Sequence, residues 1–323
     1  MKLPRLYVVM LRYRVAAMVA IFMLLGAARE ARLELGLRYV WAALALASSY
    51  VAATALNDLA DEEIDRVNHP RDAGRPLVEG TASRTELLVL HVAALVLAVL
   101  AAVPLGWRAV ALIGGALVVS QVYSAWPVRL SYRVAGAPVA LGLAYVVIPY
   151  SVGIVAARGS LRHAQSALIV ALVLLFTARI ALKDFRDREG DARYGKPTLL
   201  LRFGKGVTCG TSLAALVAAD VVLALALDVR LVLLVQPFVA AIAWMLRRLW
   251  VAGEGRSEQV AIGLGARLGN GLLLCVLAWS ILAGSGASPG EALALGSALA
   301  AAFLVSVAAL AAEPQQVIIG YKG

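Results

Sequence analysis

Residues 38–65 read RYVWAALALASSYVAATALNDLADEEID, and the change of character inside this stretch decides the fold. From Tyr39 to Leu56 it is a run of apolar and small residues, the pattern of a helix that meets lipid rather than water. At Asn57 it turns acidic. Nine more apolar segments of this kind follow or precede it, so the ten run approximately over 14–28, 38–57, 85–105, 108–125, 134–156, 163–182, 207–227, 229–250, 262–284 and 290–312. Each approaches the ~20 residues that cross a hydrocarbon core. Composition agrees: 62% of the 323 residues are hydrophobic and 15% charged, where a soluble domain carries about a quarter charged residues. The expected fold is all-α, a polytopic membrane bundle of nine or ten transmembrane helices. No low-complexity linker divides the chain, so residues 1–323 read as one domain.

The net charge of +10 does not signal nucleic acid, because the basic residues lie between the apolar segments, where orientation in the bilayer accounts for them. Alternate connections, starting with the N-terminus, hold 22 of the 30 Lys and Arg residues, and the others hold 7. This bias predicts a cytoplasmic N-terminus and cytoplasmic loops at about 58–84 and 183–206. The stretch Val15–Ala28 follows a basic start as a signal peptide would, but the many spans after it make it a retained first helix. Cys209 and Cys275 lie in or beside apolar segments and offer neither a disulfide framework nor metal-ligand spacing.

The two basic loops carry the chemistry. The first opens Asn57-Asp58-Leu59-Ala60-Asp61-Glu62-Glu63-Ile64-Asp65, and the second Lys183-Asp184-Phe185-Arg186-Asp187-Arg188-Glu189-Gly190-Asp191. In both, aspartates are spaced three and then four apart, and matching positions are 126 residues apart. On a helix that spacing puts three carboxylates on one face. Solvated loop charges would explain one such cluster, but not two with identical spacing on the same predicted side. Mg²⁺ prefers one or two carboxylates together with water and phosphate oxygens, so two facing sets suit metal ions around a diphosphate. Arg71 and Arg75 follow the first cluster, and Lys183, Arg186, Arg188, Arg193 and Lys196 are interleaved with the second. Such cations meet phosphate oxygens, arginine often bidentately. Arg75 and Lys196, with Pro or Gly neighbours fixing the backbone, are the stronger candidates; Arg186, Arg188 and Arg193 serve equally well as orientation signals.

At these residues the sequence resembles the UbiA-type intramembrane prenyltransferase superfamily. Its Asn-Asp-x-x-Asp-x-x-x-Asp motif is matched by Asn57, Asp58, Asp61 and Asp65, and the following Arg-Pro-x-x-x-Gly by Arg75, Pro76 and Gly80. The second motif is matched by Asp184, Asp187, Asp191, Gly195, Lys196 and Thr198. A looser element is Tyr123-Ser124-Ala125-Trp126-Pro127-Val128-Arg129-Leu130. The resemblance implies that Asp58, Asp61, Asp65, Asp184, Asp187 and Asp191 hold Mg²⁺ as the catalytic metal set. Asn57, Arg75, Arg129, Lys183 and Lys196 would then contact the diphosphate. The implied partners are an isoprenoid diphosphate donor, a small hydrophobic, aromatic or lipid-like acceptor, and membrane lipid. The family has nine spans, one fewer than the apolar segments counted here.

Several polar residues fall inside spans. Arg179 is aimed at the diphosphate or paired with an aspartate; Asp220 faces either a bundle interior or the interface. His91 and Asn270 read as interhelical hydrogen-bond partners. Tyr123, Tyr145 and Tyr150 either line the prenyl cavity or pack between helices. An isoprenoid diphosphate cyclase of the same superfamily would carry the same motifs. The Asp-Gly-x-x-Ala-Arg start of the CDP-alcohol phosphotransferases is absent. A divalent-cation transporter would place its carboxylates near the midplane, not at helix ends among arginines. Acceptor identity and prenyl chain length are not written in these motifs.

Overall fold

A computed structural model describes residues 2–30, 36–70, 74–158, 166–253, 255–286 and 288–312. Arg71 therefore lies outside the described residues. The helices, in chain order, are α1 (Leu3–Met10), α2 (Tyr13–Glu30), α3 (Leu37–Ala60), α4 (Glu62–Asn68), α5 (Pro76–Glu79), α6 (Arg84–Ala102), α7 (Trp107–Ser124), α8 (Gly136–Gly142) and α9 (Ile148–Ala156). They continue with α10 (Ser166–Ile180), α11 (Lys183–Arg186), α12 (Arg188–Arg193), α13 (Leu199–Ala226), α14 (Val229–Val251), α15 (Arg256–Ser285) and α16 (Pro289–Ala312). Among the described residues, eight helices are long and apolar enough to cross a membrane. A ninth span results if α1 and α2, bent by 69° where they meet, count as one. The last apolar segment of the sequence is helical too, but its apolar stretch Pro289–Val305 is shorter than a span.

The chain divides into two compact units. The first contains α1–α9 and returns for residues 187–198, which hold α12. Its core is built on small side chains: Ala42, Ala45, Ala52 and Ala55 of α3 are buried with Ala94, Ala98 and Ala101 of α6. Lipid tails are as apolar as the side chains, so helices gain from close backbone approach rather than from leaving water. The same logic brings α2 against α9. A Cβ on Gly26 would collide with the Tyr150 carbonyl, and one on Gly153 with the Met23 carbonyl. Tyr150 is fully buried there, and Tyr145 meets Tyr50 edge-on with ring centroids 5.8 Å apart, so both tyrosines pack between helices.

Several polar groups in this unit meet one another or free carbonyls. His91 Nδ1 lies 2.8 Å from the Ala52 carbonyl and its Nε2 3.1 Å from Gln121 Nε2, the interhelical role expected of it. Arg38 donates to the carbonyls of Ala156 at 3.0 Å, Val155 at 2.9 Å and Leu105 at 3.4 Å. The Val155 and Ala156 carbonyls lie at the C-terminal end of α9, where a helix leaves acceptors over. Ser83 and Glu86 form a reciprocal capping box that starts α6.

The second unit holds α10, α11 and α13–α16. α10 packs on α13, α14 on α15, and α15 on α16. Asp220 accepts from Gln236 Nε2 at 2.8 Å, an interhelical pairing between α13 and α14.

Candidate active site

Neither aspartate motif is a single helix, which corrects the expectation of three carboxylates on one helical face. Asp58 lies in the last turn of α3, Asp61 at a break, and Asp65 in α4. In the second motif Asp184 lies in α11, Asp187 at a break, and Asp191 in α12. The two middle aspartates share one backbone state, φ −110° and ψ 17° at Asp61 and φ −94° and ψ 5° at Asp187. This is the bridge region, off the helical well and common at functional sites. Both motifs are thus built as helix, aspartate at the break, short helix. The short helices α4 and α12 pack together in the first unit.

That packing fixes the register of the motifs. The Gly190 amide donates to Asn68 Oδ1 at 2.7 Å. A Cβ on Gly190 would stand 2.7 Å from both Asn68 Nδ2 and the Ile64 carbonyl, closer than real Cβ contacts come. His69 Nε2 lies 3.1 Å from Asp187 Oδ1.

Four cations meet the first cluster. Arg12, at the bend between α1 and α2, sends one guanidinium nitrogen to both oxygens of Asp58 at 2.7 Å and its Nε to the Gly74 carbonyl at 3.3 Å. Arg75, held at the start of α5 by Pro76, donates to Asp58 at 2.8 Å and also to Asp65. Arg129 donates to Asp61 Oδ1 at 3.0 Å and to the Ala60 carbonyl at 3.1 Å, with its guanidinium 4.0 Å from the Tyr132 ring centroid. Lys196 follows Gly195, whose φ of +65° suits a residue without a Cβ. Its Nζ is 2.9 Å from Asp61 Oδ2 and 3.9 Å from Asp191 Oδ1, so one lysine joins the two motifs. Asn57 Nδ2 sits 3.4 Å from Asp61 Oδ2.

Burial works against ionised carboxylates here, and the cations decide each case. Burial raises the Asp61 carboxyl, but Lys196 and Arg129 outweigh it and hold the group below the ordinary range. Asp65 is pushed up to about 7, by burial first and then by Asp58 and Asp61, with Arg75 and Arg12 only partly offsetting the rise. A crowded, buried carboxyl that resists ionising, as Asp65 does, is one that added positive charge relieves. Among the described residues no three His, Cys, Asp or Glu side chains converge to cage an ion by themselves. Mg²⁺ does not need such a cage, since it takes one or two carboxylates and completes its shell with water and phosphate. The donor set fits Mg²⁺ bound together with a phosphorylated substrate.

Of the six motif aspartates, Asp58, Asp61, Asp65, Asp187 and Asp191 belong to the first unit. Asp184 and Lys183 belong to the second, where Lys183 Nζ is 3.3 Å from Asp184 Oδ1. Arg186 and Arg193 are exposed. Arg12, Asn68, His69 and Tyr132 were not singled out from the sequence. Asn68 and His69 stand beside the first motif, but nothing in their spacing marks them.

Fold and site together define a helical, multi-pass membrane protein built around two paired aspartate motifs. It belongs to the UbiA prenyltransferase family, which matches the chain over residues 15–263. Digeranylgeranylglyceryl phosphate synthase of Pyrococcus horikoshii is 32% identical over 154 residues, covering 48% of this chain and 52% of the relative. The protein of the same name from Methanopyrus kandleri is 30% identical over 181 residues, covering 55% of this chain and 61% of the relative. The chain thus spans about half to three-fifths of the length of these curated relatives. A solved structure described for digeranylgeranylglyceryl phosphate synthase in membranes superposes with a TM-score of 0.66 at 18% identity, over 87% of this chain and 99% of the other. A UbiA homologue from Archaeoglobus fulgidus bound to DMAPP and Mg²⁺ gives a TM-score of 0.61 at 18% identity, over 95% and 99%. At such identities the likeness is one of fold.

Proposed function

We propose that this chain transfers a prenyl group from an isoprenoid diphosphate to a lipid-like acceptor within the membrane, releasing pyrophosphate in a Mg²⁺-dependent reaction. The observation that carries the reading is Lys196, whose ammonium lies within 4 Å of carboxylates from both motifs, Asp61 at 2.9 Å and Asp191 at 3.9 Å. Two acidic motifs gathered on shared cations make a site for a group that is itself anionic and brings metal with it.

In this reading Asp58, Asp61, Asp65, Asp184, Asp187 and Asp191 hold Mg²⁺, which when bound polarises the diphosphate toward departure. Asn57, Arg75, Arg129, Lys183 and Lys196 contact the phosphate oxygens. Their charge is fixed in place before reaction, so it stabilises the pyrophosphate as negative charge gathers there. Arg12 joins them through Asp58. The apolar spans receive the prenyl tail, each buried CH₂ contributing about 0.8 kcal/mol, and keep water from the allylic cation. The acceptor is lipid-like, in keeping with relatives named for synthesis of a prenylated glyceryl phosphate. The excess of 22 basic residues over 7 supports a cytoplasmic N-terminus and cytoplasmic motif loops.

The test is pyrophosphate release by purified protein in detergent, with donors from dimethylallyl to long polyprenyl diphosphate, with and without an alkylglycerol phosphate. Release that requires both Mg²⁺ and the acceptor supports the transferase. Release without any acceptor points instead to a cyclase. Absence of release from every donor, with Mg²⁺ flux in proteoliposomes, would replace the reading by a transporter.

A further inference from the structure

Arg179 lies in the last turn of α10, inside the apolar span Ser166–Arg186 of the second unit. A guanidinium carries a permanent charge and five N–H donors. Here one of them donates to Asn270 Oδ1 on α15 at 2.6 Å, and no carboxylate is paired with it among the described residues. Six other cations of this chain are treated differently. Arg12, Arg75, Arg129, Lys183, Lys196 and Lys205 each lie within 4 Å of an Asp or Glu oxygen. A charge in a membrane span without a counter-ion is costly and marks function.

The surroundings say what would complete it. The side chain is partly buried and keeps some exposure. Its aliphatic stem lies over Gly269, where a Cβ would already be in contact with Arg179 Cδ at 3.7 Å. That places the head group beside Asn270. Because Asn270 Oδ1 is committed to Arg179, what the pair still presents is donors only: the other guanidinium N–H groups and the amide NH₂. A face made of donors and one fixed positive charge, with no carboxylate to bring a metal, suits an oxyanion bound without metal.

We infer that Arg179 and Asn270 bind the anionic head group of the acceptor, a phosphate monoester or a carboxylate. This rests on the prenyl-transfer reading for the word acceptor, but the binding site stands on its own geometry. Arg179 is a specificity-determining residue in this account: it selects charged over neutral acceptors. A purely structural role, complementing the C-terminal dipole of α10, predicts no such selection.

The experiment measures binding to the full chain in detergent of an alkylglycerol phosphate, the matching neutral alkylglycerol, and 4-hydroxybenzoate, alongside pyrophosphate release. Arg179→Gln weakens the anionic ligand by roughly ten- to hundredfold and leaves the neutral alkylglycerol unchanged. Turnover by this variant shows a raised KM for the acceptor and an unaltered KM for the donor. Asn270→Asp supplies an internal counter-ion: it abolishes the preference for the anion while the melting temperature holds or rises, so loss of binding is not loss of fold. Arg179-dependent binding of 4-hydroxybenzoate but not of the alkylglycerol phosphate supports the site and names a carboxylate as its ligand. Arg179-dependent anion binding without any pyrophosphate release upholds the site and overturns prenyl transfer. An unchanged preference for anion over neutral ligand in both variants, or no anion binding by the wild-type chain, overturns the inference.

Discussion

The amide of Gly190 donates to the side chain of Asn68 at 2.7 Å, so a residue inside the second aspartate motif is bonded to one just beyond the first, 122 positions away. The bond exists because Gly190 has no side chain. Gly190→Ala puts a Cβ 2.7 Å from Asn68 Nδ2 and from the Ile64 carbonyl, and backbone cannot yield as a side-chain tip can. Overpacking of this kind costs about 1–3 kcal/mol, read as a lower melting temperature in detergent together with weakened Mg²⁺-dependent turnover. A variant that melts and turns over like the wild type would show that the motif helices do not need this contact.

Asp61 and Asp187 occupy the two helix breaks, and each is expected to be needed for turnover rather than for folding. Asp61→Ala and Asp187→Ala lower pyrophosphate release by at least roughly a hundredfold while the protein still enters membranes and elutes as a single species. Near-wild-type activity in either variant would sink the metal-clamp account.

Lys196 holds Asp61 and approaches Asp191. With Lys196→Met the two carboxylates lose their shared cation, and the Asp61 carboxyl keeps only Arg129 against the burial that raises it. Turnover falls by about a hundredfold or more, and Lys196→Arg restores part of it. Equal activity of the Met and Arg variants would mean that the charge at this position is idle.

Arg12 is expected to behave as a member of the site although it lies in no motif. Asp58 is 2% exposed, and Arg12, itself 22% exposed, places one nitrogen 2.7 Å from each of its oxygens. Removing one partner of a well-buried ion pair costs several kcal/mol, reduced here by the partial exposure of the arginine. Arg12→Ala should lower turnover by roughly tenfold or more, with Arg12→Lys intermediate. Titration of donor and Mg²⁺ against initial rate checks this, and full activity in Arg12→Ala would return Arg12 to a role in orientation alone.

How much of this was legible before the structure depended on whether a residue's role shows in its spacing. The apolar segments were readable because crossing a bilayer demands length and composition together. The aspartates were readable because the spacing occurs twice. The same spacing hid the breaks at Asp61 and Asp187, since i, i+3 and i+7 suit a continuous helix equally well. Arg12 was invisible for another reason: a basic residue beside a first span is fully accounted for by orientation. Its partner Asp58 is 46 positions on, and only the bend between α1 and α2 brings the two together. Arg179 was noticed as a charge within a span, yet its pairing with Asn270 rather than with an aspartate depends on how α10 meets α15.

Arg38 sets an order in time. Its donors end on the carbonyls of Leu105, Val155 and Ala156, residues that leave the ribosome 67 to 118 positions after it. Through that interval the guanidinium has none of these acceptors and must stay with water or lipid head groups. The N-terminal end of α3 therefore gains these three bonds only after α9 has been made, and the first unit is complete only once residues 187–198 have followed.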